Sequence, residues 1–121
     1  MGTKILGDAG ESIAVKFLQA AGYNIITRNF RYSRNAEIDI IAEIDNILVF
    51  VEVKTRYSDK YGTPAEAVTI NKQRKIILAA TKFLQNNNFF DRTCRFDVIE
   101  IYANKNSEWK VNHIQNAFEV N

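Results

Sequence analysis

The chain has 121 residues, 46% of them hydrophobic and 25% charged, with a formal net charge of +2. That is one ordinary domain with enough apolar residues for a single core, and no apolar run approaches the ~20 residues of a membrane-spanning helix. The lone cysteine, Cys94, and the lone histidine, His113, exclude an intramolecular disulfide and a cysteine/histidine zinc centre, so a metal here would be held by oxygen.

The opening "MGTKILGDAGES" is acidic and lacks the continuous apolar stretch of a signal peptide, which sets the expectation of a soluble, cytoplasmic protein with no membrane partner. In "DAGESIAVKFLQAAGY", Ile13, Phe17, Ala20 and Ala21 recur at helical spacing. A helix is predicted over roughly 8–21, with Gly22 as its stop signal. "YNIITRNFRY" reads as a strand with arginines on a face near solvent. "EIDIIAEIDNILVFVEVK" reads as a hairpin, because two long β-branched runs flank the turn-prone Asp45 and Asn46.

Residues 56–67, "RYSDKYGTPAEA", hold the only proline and are expected to form a mobile loop. "TINKQRKIILAATKFLQNNN" then places Ile76, Ile77, Ala80, Phe83 and Leu84 on one helical face, with Thr69 or Asn71 available as cap. "CRFDVIEIYA" and the segment around "WKVNHI" are two further strands. The order helix, three strands, helix, two strands predicts a single α/β domain over 1–121. Its core would be a mixed sheet of about five strands flanked by helices.

A turn at Asp45-Asn46 sets the hairpin register, so Ile41 faces Phe50, Asp39 faces Glu52, and Glu37 faces Lys54. By alternation Glu37, Asp39, Glu52 and Lys54 share one face. Opposed, half-buried carboxylates are costly without compensation, and one lysine leaves the patch negative. A hard divalent cation such as Mg²⁺, held by one or two carboxylates and waters, fits the remainder. A reading without metal also fits the spacing: a salt-bridged hairpin edge, with Glu37 on Lys54 and Asp39 on Arg34 or Arg56.

A metal on two carboxylates with a lysine alongside suits phosphodiester hydrolysis, in which the lysine orients the attacking water or stabilises developing charge. Basic residues in two clusters, Arg28, Arg31 and Arg34, then Lys72, Arg74 and Lys75, are either solvated faces or contacts to a polyanionic backbone.

The blocks "GES", "AEIDII", "FVEVKTR", "PAEAVTINKQRK", "RFDVIEI" and "HIQNAF", in this order over nearly the whole chain, resemble the YraN family of bacterial proteins. That family lies within the restriction-endonuclease-like nuclease superfamily, which includes archaeal Holliday-junction resolvases. "AEIDII" followed by "FVEVK" matches the superfamily's Asp…(Asp/Glu)-x-Lys signature. The resemblance implies a restriction-endonuclease-like fold, Asp39 and Glu52 as ligands of Mg²⁺ (or Mn²⁺), and Lys54 as the catalytic lysine. It also implies that Glu11 joins the metal site, although a glutamate in a first helical turn is favoured by the helix dipole alone. Gln73 matches a polar residue of the second helix that approaches the site. Ala36 departs from the glycine usual before Glu-Ile-Asp, which bears on any bend or bulge that aims Asp39.

The expected function is a metal-dependent endonuclease acting on DNA, sequence-nonspecific or structure-specific, with branched DNA among its substrates. Arg34, Arg56, Lys72, Gln73, Arg74 and Lys75 would hold the nucleic acid, and a homodimer would suit two-fold junctions. The alternatives are a nucleic-acid-binding protein that keeps the fold without cleaving, and an adaptor whose acidic face is only a salt-bridge network. His113, Trp109, Phe118 and Cys94 read as packing residues, and Asp97 as a site neighbour or a partner of Arg95 or Arg92.

Overall fold

The computed structural model describes residues 3–56, 68–103 and 108–120. Its elements are α1 (Thr3–Ala20), β1 (Asn24–Ser33), β2 (Ala36–Ile44), β3 (Ile47–Arg56), α2 (Ile70–Asn86), β4 (Thr93–Ala103) and β5 (Trp109–Phe118). The five strands form one sheet in chain order, antiparallel except for the β3–β4 pair. This is the α/β arrangement expected, consistent with a restriction-endonuclease-like fold. The mobile loop expected over 56–67 lies outside the described residues, apart from Arg56 at the end of β3.

Local chemistry explains the element ends. α1 stops at Gly22, whose φ of 95° suits a residue without Cβ, while Tyr23 N–H donates to Leu18 C=O at 2.9 Å and Gly22 N–H to Gln19 C=O at 3.1 Å. α1 begins at Thr3, earlier than its apolar spacing predicts. Asp45 (φ 48°) and Asn46 (φ 67°) make the two-residue turn of the hairpin, with Ile44 opposite Ile47. Thr69 caps α2, its Oγ1 accepting from Lys72 N–H at 3.1 Å.

The sheet is buried on both faces. Ile38, Ile41, Leu48, Phe50, Phe96 and Val98 pack under Ile76, Ala80 and Phe83 of α2. Ile40, Ala42, Val49, Val51, Ile99 and Ile101 pack under Ala14 and Leu18 of α1. β3 therefore buries alternate residues on opposite faces, which is why "ILVFV" is apolar throughout. Burying Phe50 alone contributes about 1.5–3 kcal/mol, and Phe83 adds an edge-on ring contact to it at 6.1 Å.

On β2 the alternation of faces breaks between Ile38 and Ile40. Ile38 belongs to the α2-side core and Ile40 to the α1-side core, although residues two apart in a regular strand share a face. β1 switches at the same level: Phe30, opposite Ile38, packs on the α2 side, and Arg28, opposite Ile40, reaches Glu11 of α1. Asn29, between them, has a φ of 54°. The two residues at the switch are thus Asn29 and Asp39.

Candidate metal centre

Regular β2–β3 pairing runs from Ile44 opposite Ile47 to Ile40 opposite Val51, as predicted, and stops there. Asp39 does not sit squarely across from Glu52. At the face switch its side chain turns toward β3, where Oδ2 accepts the Val53 N–H at 2.8 Å. The irregularity left open by Ala36 lies in β1, where the register shifts between Arg31 (opposite Glu37) and Ser33 (opposite Ala36); the face switch at Asp39 is separate from it. Ala36 is buried at the start of β2 and is not among the described residues with positive φ.

The turned carboxyl still meets Glu52, and the two are in hydrogen-bonding contact. Burial, the hydrogen bond with Glu52 and that residue's charge push Asp39 up to about 8, against the Val53 N–H and Lys72, which pull it down. Glu52 is buried, and its Oε2 lies 3.8 Å from Lys54 Nζ and 3.6 Å from Lys72 Nζ. Lys54 projects from β3 two residues beyond Glu52 on the same face; Lys72 arrives from the first turn of α2.

Glu11 approaches from α1. It is buried, and its Oε1 accepts from Arg28 Nε at 3.3 Å. Burial, with the nearby Asp39 charge, raises its pKa despite hydrogen bonds from Arg28 and Asn29. Among the described residues no group of three or more His, Cys, Asp and Glu is arranged to hold a metal ion, so the predicted trio is present as a carboxyl pair with Glu11 beside it. Close packing brings α1 this near: a Cβ at Gly10 would overlap Thr55 Oγ1 and press on Thr55 Cβ, 3.2 Å away.

The other predicted residues are placed differently. Glu37 does not join the cluster: it shares neither the face of Ile38 nor Lys54, and Arg31 Nη2 holds its Oε2 at 2.9 Å. The face switch is the reason, since it breaks the alternation on which the shared face depended. Arg56 pairs with Glu100 at 3.4 Å, so neither salt-bridged edge foreseen for the hairpin is the one formed. Arg34 is exposed in the β1–β2 turn. Gln73 donates to Val68 C=O at 3.2 Å, and with Arg74 it lines a cleft of about 300 Å³ shared with Ile70, Ile77, Glu119 and Val120. Lys75 is part-buried on α2.

Asp97 is structural. Its carboxylate, wholly buried, accepts from Arg95 Nε and Nη2 at 2.8 Å and from Asn116 N–H at 3.0 Å, and lies 2.7 Å from His113 Nε2. Burial alone would push Asp97 up, but the His113, Arg95 and Asn116 hydrogen bonds together hold it below the usual carboxylate range. His113 is walled by the rings of Phe17 and Tyr23, and Phe118 stacks on Phe96 at 5.0 Å. Sequence reasoning missed Asn29 and Arg28 as the holders of Glu11, and Lys72 as a neighbour of Glu52. The "RN" of "ITRNFR" offered one signal for the first, an asparagine inside a strand.

A family model described as "Uncharacterised protein family UPF0102" matches residues 10–101. A UPF0102 protein of Symbiobacterium thermophilum is 48% identical over 115 residues, covering 95% of this chain and 97% of that protein. One of Caldicellulosiruptor saccharolyticus is 48% identical over 119 residues, covering 98% and 100%. Another, of Caldanaerobacter subterraneus, is 47% identical over 117 residues, covering 95% of each.

Proposed function

Because the chain belongs to the UPF0102 family, the YraN family its sequence resembles, its activity is sought at the Asp39–Glu52 pair, and we propose a metal-dependent endonuclease that hydrolyses phosphodiester bonds of DNA. Branched or structured DNA is the substrate class put forward. The observation that carries this reading is two carboxyl groups in contact, one held at about 8, with two lysine ammonium groups alongside. No helix of the described residues is long and apolar enough to cross a membrane. A cytoplasmic setting fits the lone thiol of Cys94, which stays reduced there.

The donor set suits Mg²⁺ or Mn²⁺: hard oxygens from two carboxyl groups, of which Asp39 would give up its proton to the ion. Asp39 and Glu52 would hold the ion, while Glu11, paired with Arg28, would act on the site through its charge on Asp39. A bound ion would supply polarisation of the phosphoryl oxygen and a more acidic water. The Val53 N–H fixes the Asp39 carboxylate, and Glu52 is fixed from two sides by Lys54 and Lys72. Lys54 would orient the attacking water or stabilise charge on the phosphoryl oxygens, and Lys72 would bind the adjacent phosphate.

The test is cleavage of a panel of duplex, single-stranded, flap and four-way DNA in Mg²⁺ or Mn²⁺, paired with calorimetric metal titration. Cleavage of at least one member is expected, lost in Asp39→Asn and Lys54→Ala, with metal binding lost in Asp39→Asn. The engagement of Glu52 by both lysines favours one second reading, a nucleic-acid-binding protein that does not cleave. Tight DNA binding with no turnover of any panel member would establish that reading and overturn the first.

A further inference from the structure

Two carboxylates of the sheet, Asp97 and Glu100, are wholly buried. Asp97 is enclosed by its partners, whereas the cation that meets Glu100 still reaches solvent. Glu100 Oε2 accepts from Arg56 Nε at 3.4 Å, and the Arg56 side chain is 31% exposed. Glu100 Oε1 accepts from Asn112 Nδ2 at 3.0 Å.

The register places this group beside the candidate metal centre. Lys54 pairs with Glu100 across β3–β4, and Glu100 with Asn112 across β4–β5, so the three stand abreast. Glu100 follows Phe96 and Val98 on the α2 side of β4, as Glu52 and Lys54 follow Leu48 and Phe50 on β3. Arg56 is the next residue of β3 on that face, roughly 7 Å beyond Lys54 along the strand. Glu52, Lys54 and Arg56 thus form a line of one carboxylate and two cations.

A buried ion pair is a poor way to gain stability, because apolar side chains of similar volume pack as well without desolvating charge. Its use lies in fixing geometry. Among the described residues only the Nε edge of Arg56 is committed, which leaves Nη1 and Nη2 for the two-pronged phosphate contact that a guanidinium makes and an ammonium does not.

We propose that Glu100, braced by Asn112, is a positioning residue that holds Arg56 against the substrate strand, at the phosphate next to the one beside Lys54. The inference rests on the nuclease reading and adds to it how the strand is registered on the site.

The experiment measures binding of the full chain, in Ca²⁺, to each labelled member of the duplex, single-stranded, flap and four-way DNA panel, and then to the member bound most tightly over a range of salt. Arg56→Ala lowers affinity and reduces the slope of log K against log salt by about one phosphate contact. Glu100→Met, which keeps volume and removes the anchor, shows the same reduced slope, and the double variant shows no further loss. Metal titration stays as in the wild type in all three. If Glu100→Met is not folded by circular dichroism, Asn112→Ala takes its place, with a smaller loss in the same direction.

Wild-type slope and affinity in folded Glu100→Met, or in Asn112→Ala where that variant stands in, overturn the positioning role, as does an Arg56→Ala that binds like the wild type. A wild-type chain that binds no panel DNA overturns the nuclease reading itself, and this inference with it. In that case the failure appears before any variant is compared.

Discussion

Asp39 accepts the backbone N–H of Val53 at 2.8 Å, at the point where regular β2–β3 pairing ends. The carboxylate assigned to a metal is therefore also part of the hairpin. Asp39→Asn keeps an acceptor for that N–H and removes the charge facing Glu52; Asp39→Ala removes both. In metal-free buffer near pH 8, the asparagine variant is expected to melt at or above the wild type. The alanine variant should lose about 1–3 kcal/mol for the orphaned N–H. Both should lose the melting shift that Mg²⁺ gives the wild type. Equal destabilisation by the two substitutions would show that the hydrogen bond is not what separates them.

The same carboxyl predicts a pH dependence. Its value of about 8 in the folded chain lies above the ordinary 3.8, so the folded state holds the proton more tightly than the unfolded one. That contribution to stability is complete below about 3.8 and is lost as pH rises through about 8. Metal-free protein should thus lose stability across this window, and Asp39→Asn should flatten the loss. Mg²⁺ competes with the proton, so its stabilising shift should grow over the same window. Denaturant midpoints at a series of pH values, with and without Mg²⁺, measure both; a wild-type profile no steeper than that of Asp39→Asn contradicts the assignment.

Much of this arrangement is legible in the sequence, for identifiable reasons. The Asp45-Asn46 turn forces one hairpin register, which carries Asp39 to the level of Glu52 although the face switch sets the final aim of its side chain. Gly22 and Thr69 mark helix ends because each supplies a local chemistry that few residues share. The face switch at Asn29 and Asp39 is not legible. A left-handed residue inside a strand leaves the apolar spacing on either side intact, so alternation wrongly carries Glu37 onto the Lys54 face. Nor is Lys72 legible as a neighbour of Glu52, since that depends on how α2 docks on the sheet. Glu100 hides for a further reason: in "VIEIY" it looks like the solvent face of an alternating strand, but β5 and Arg56 cover it.

Gly10 sets the approach of α1 to β3. A methyl group there would meet Thr55 Oγ1, with Thr55 Cβ at 3.2 Å and Cγ2 at 3.3 Å. Threonine is branched at Cβ and has little freedom to yield. Gly10→Ala is therefore expected to push the helix outward, cost about 1–3 kcal/mol, and move Glu11 away from Asp39. Thr55→Ala in the same chain should restore most of the loss, whereas Thr55→Ser, which keeps the hydroxyl, should not. Chemical denaturation of the four variants measures the coupling, and additive effects of Gly10→Ala and Thr55→Ala would show that the two side chains do not compete for space.

Asp97 should matter for the fold and not for the metal. Removing it with Asp97→Ala leaves Arg95 and His113 facing each other where little water reaches, and breaking a buried pair in this way costs roughly 3–5 kcal/mol. Its folded value is lowered below 3.8, so its contribution is present above that pH and is lost as pH falls through the folded value. Wild type and Asp97→Ala should accordingly converge in stability in strong acid and diverge above about 3.8. The network stands on the α1 side of β4, joined to Tyr23 through the 2.6 Å bond from Arg95, while Glu52 and its two lysines face α2. Mg²⁺ titration of folded Asp97→Ala at low temperature should therefore give the wild-type midpoint. A weakened midpoint together with unchanged stability would place Asp97 in the metal centre and reverse this assignment.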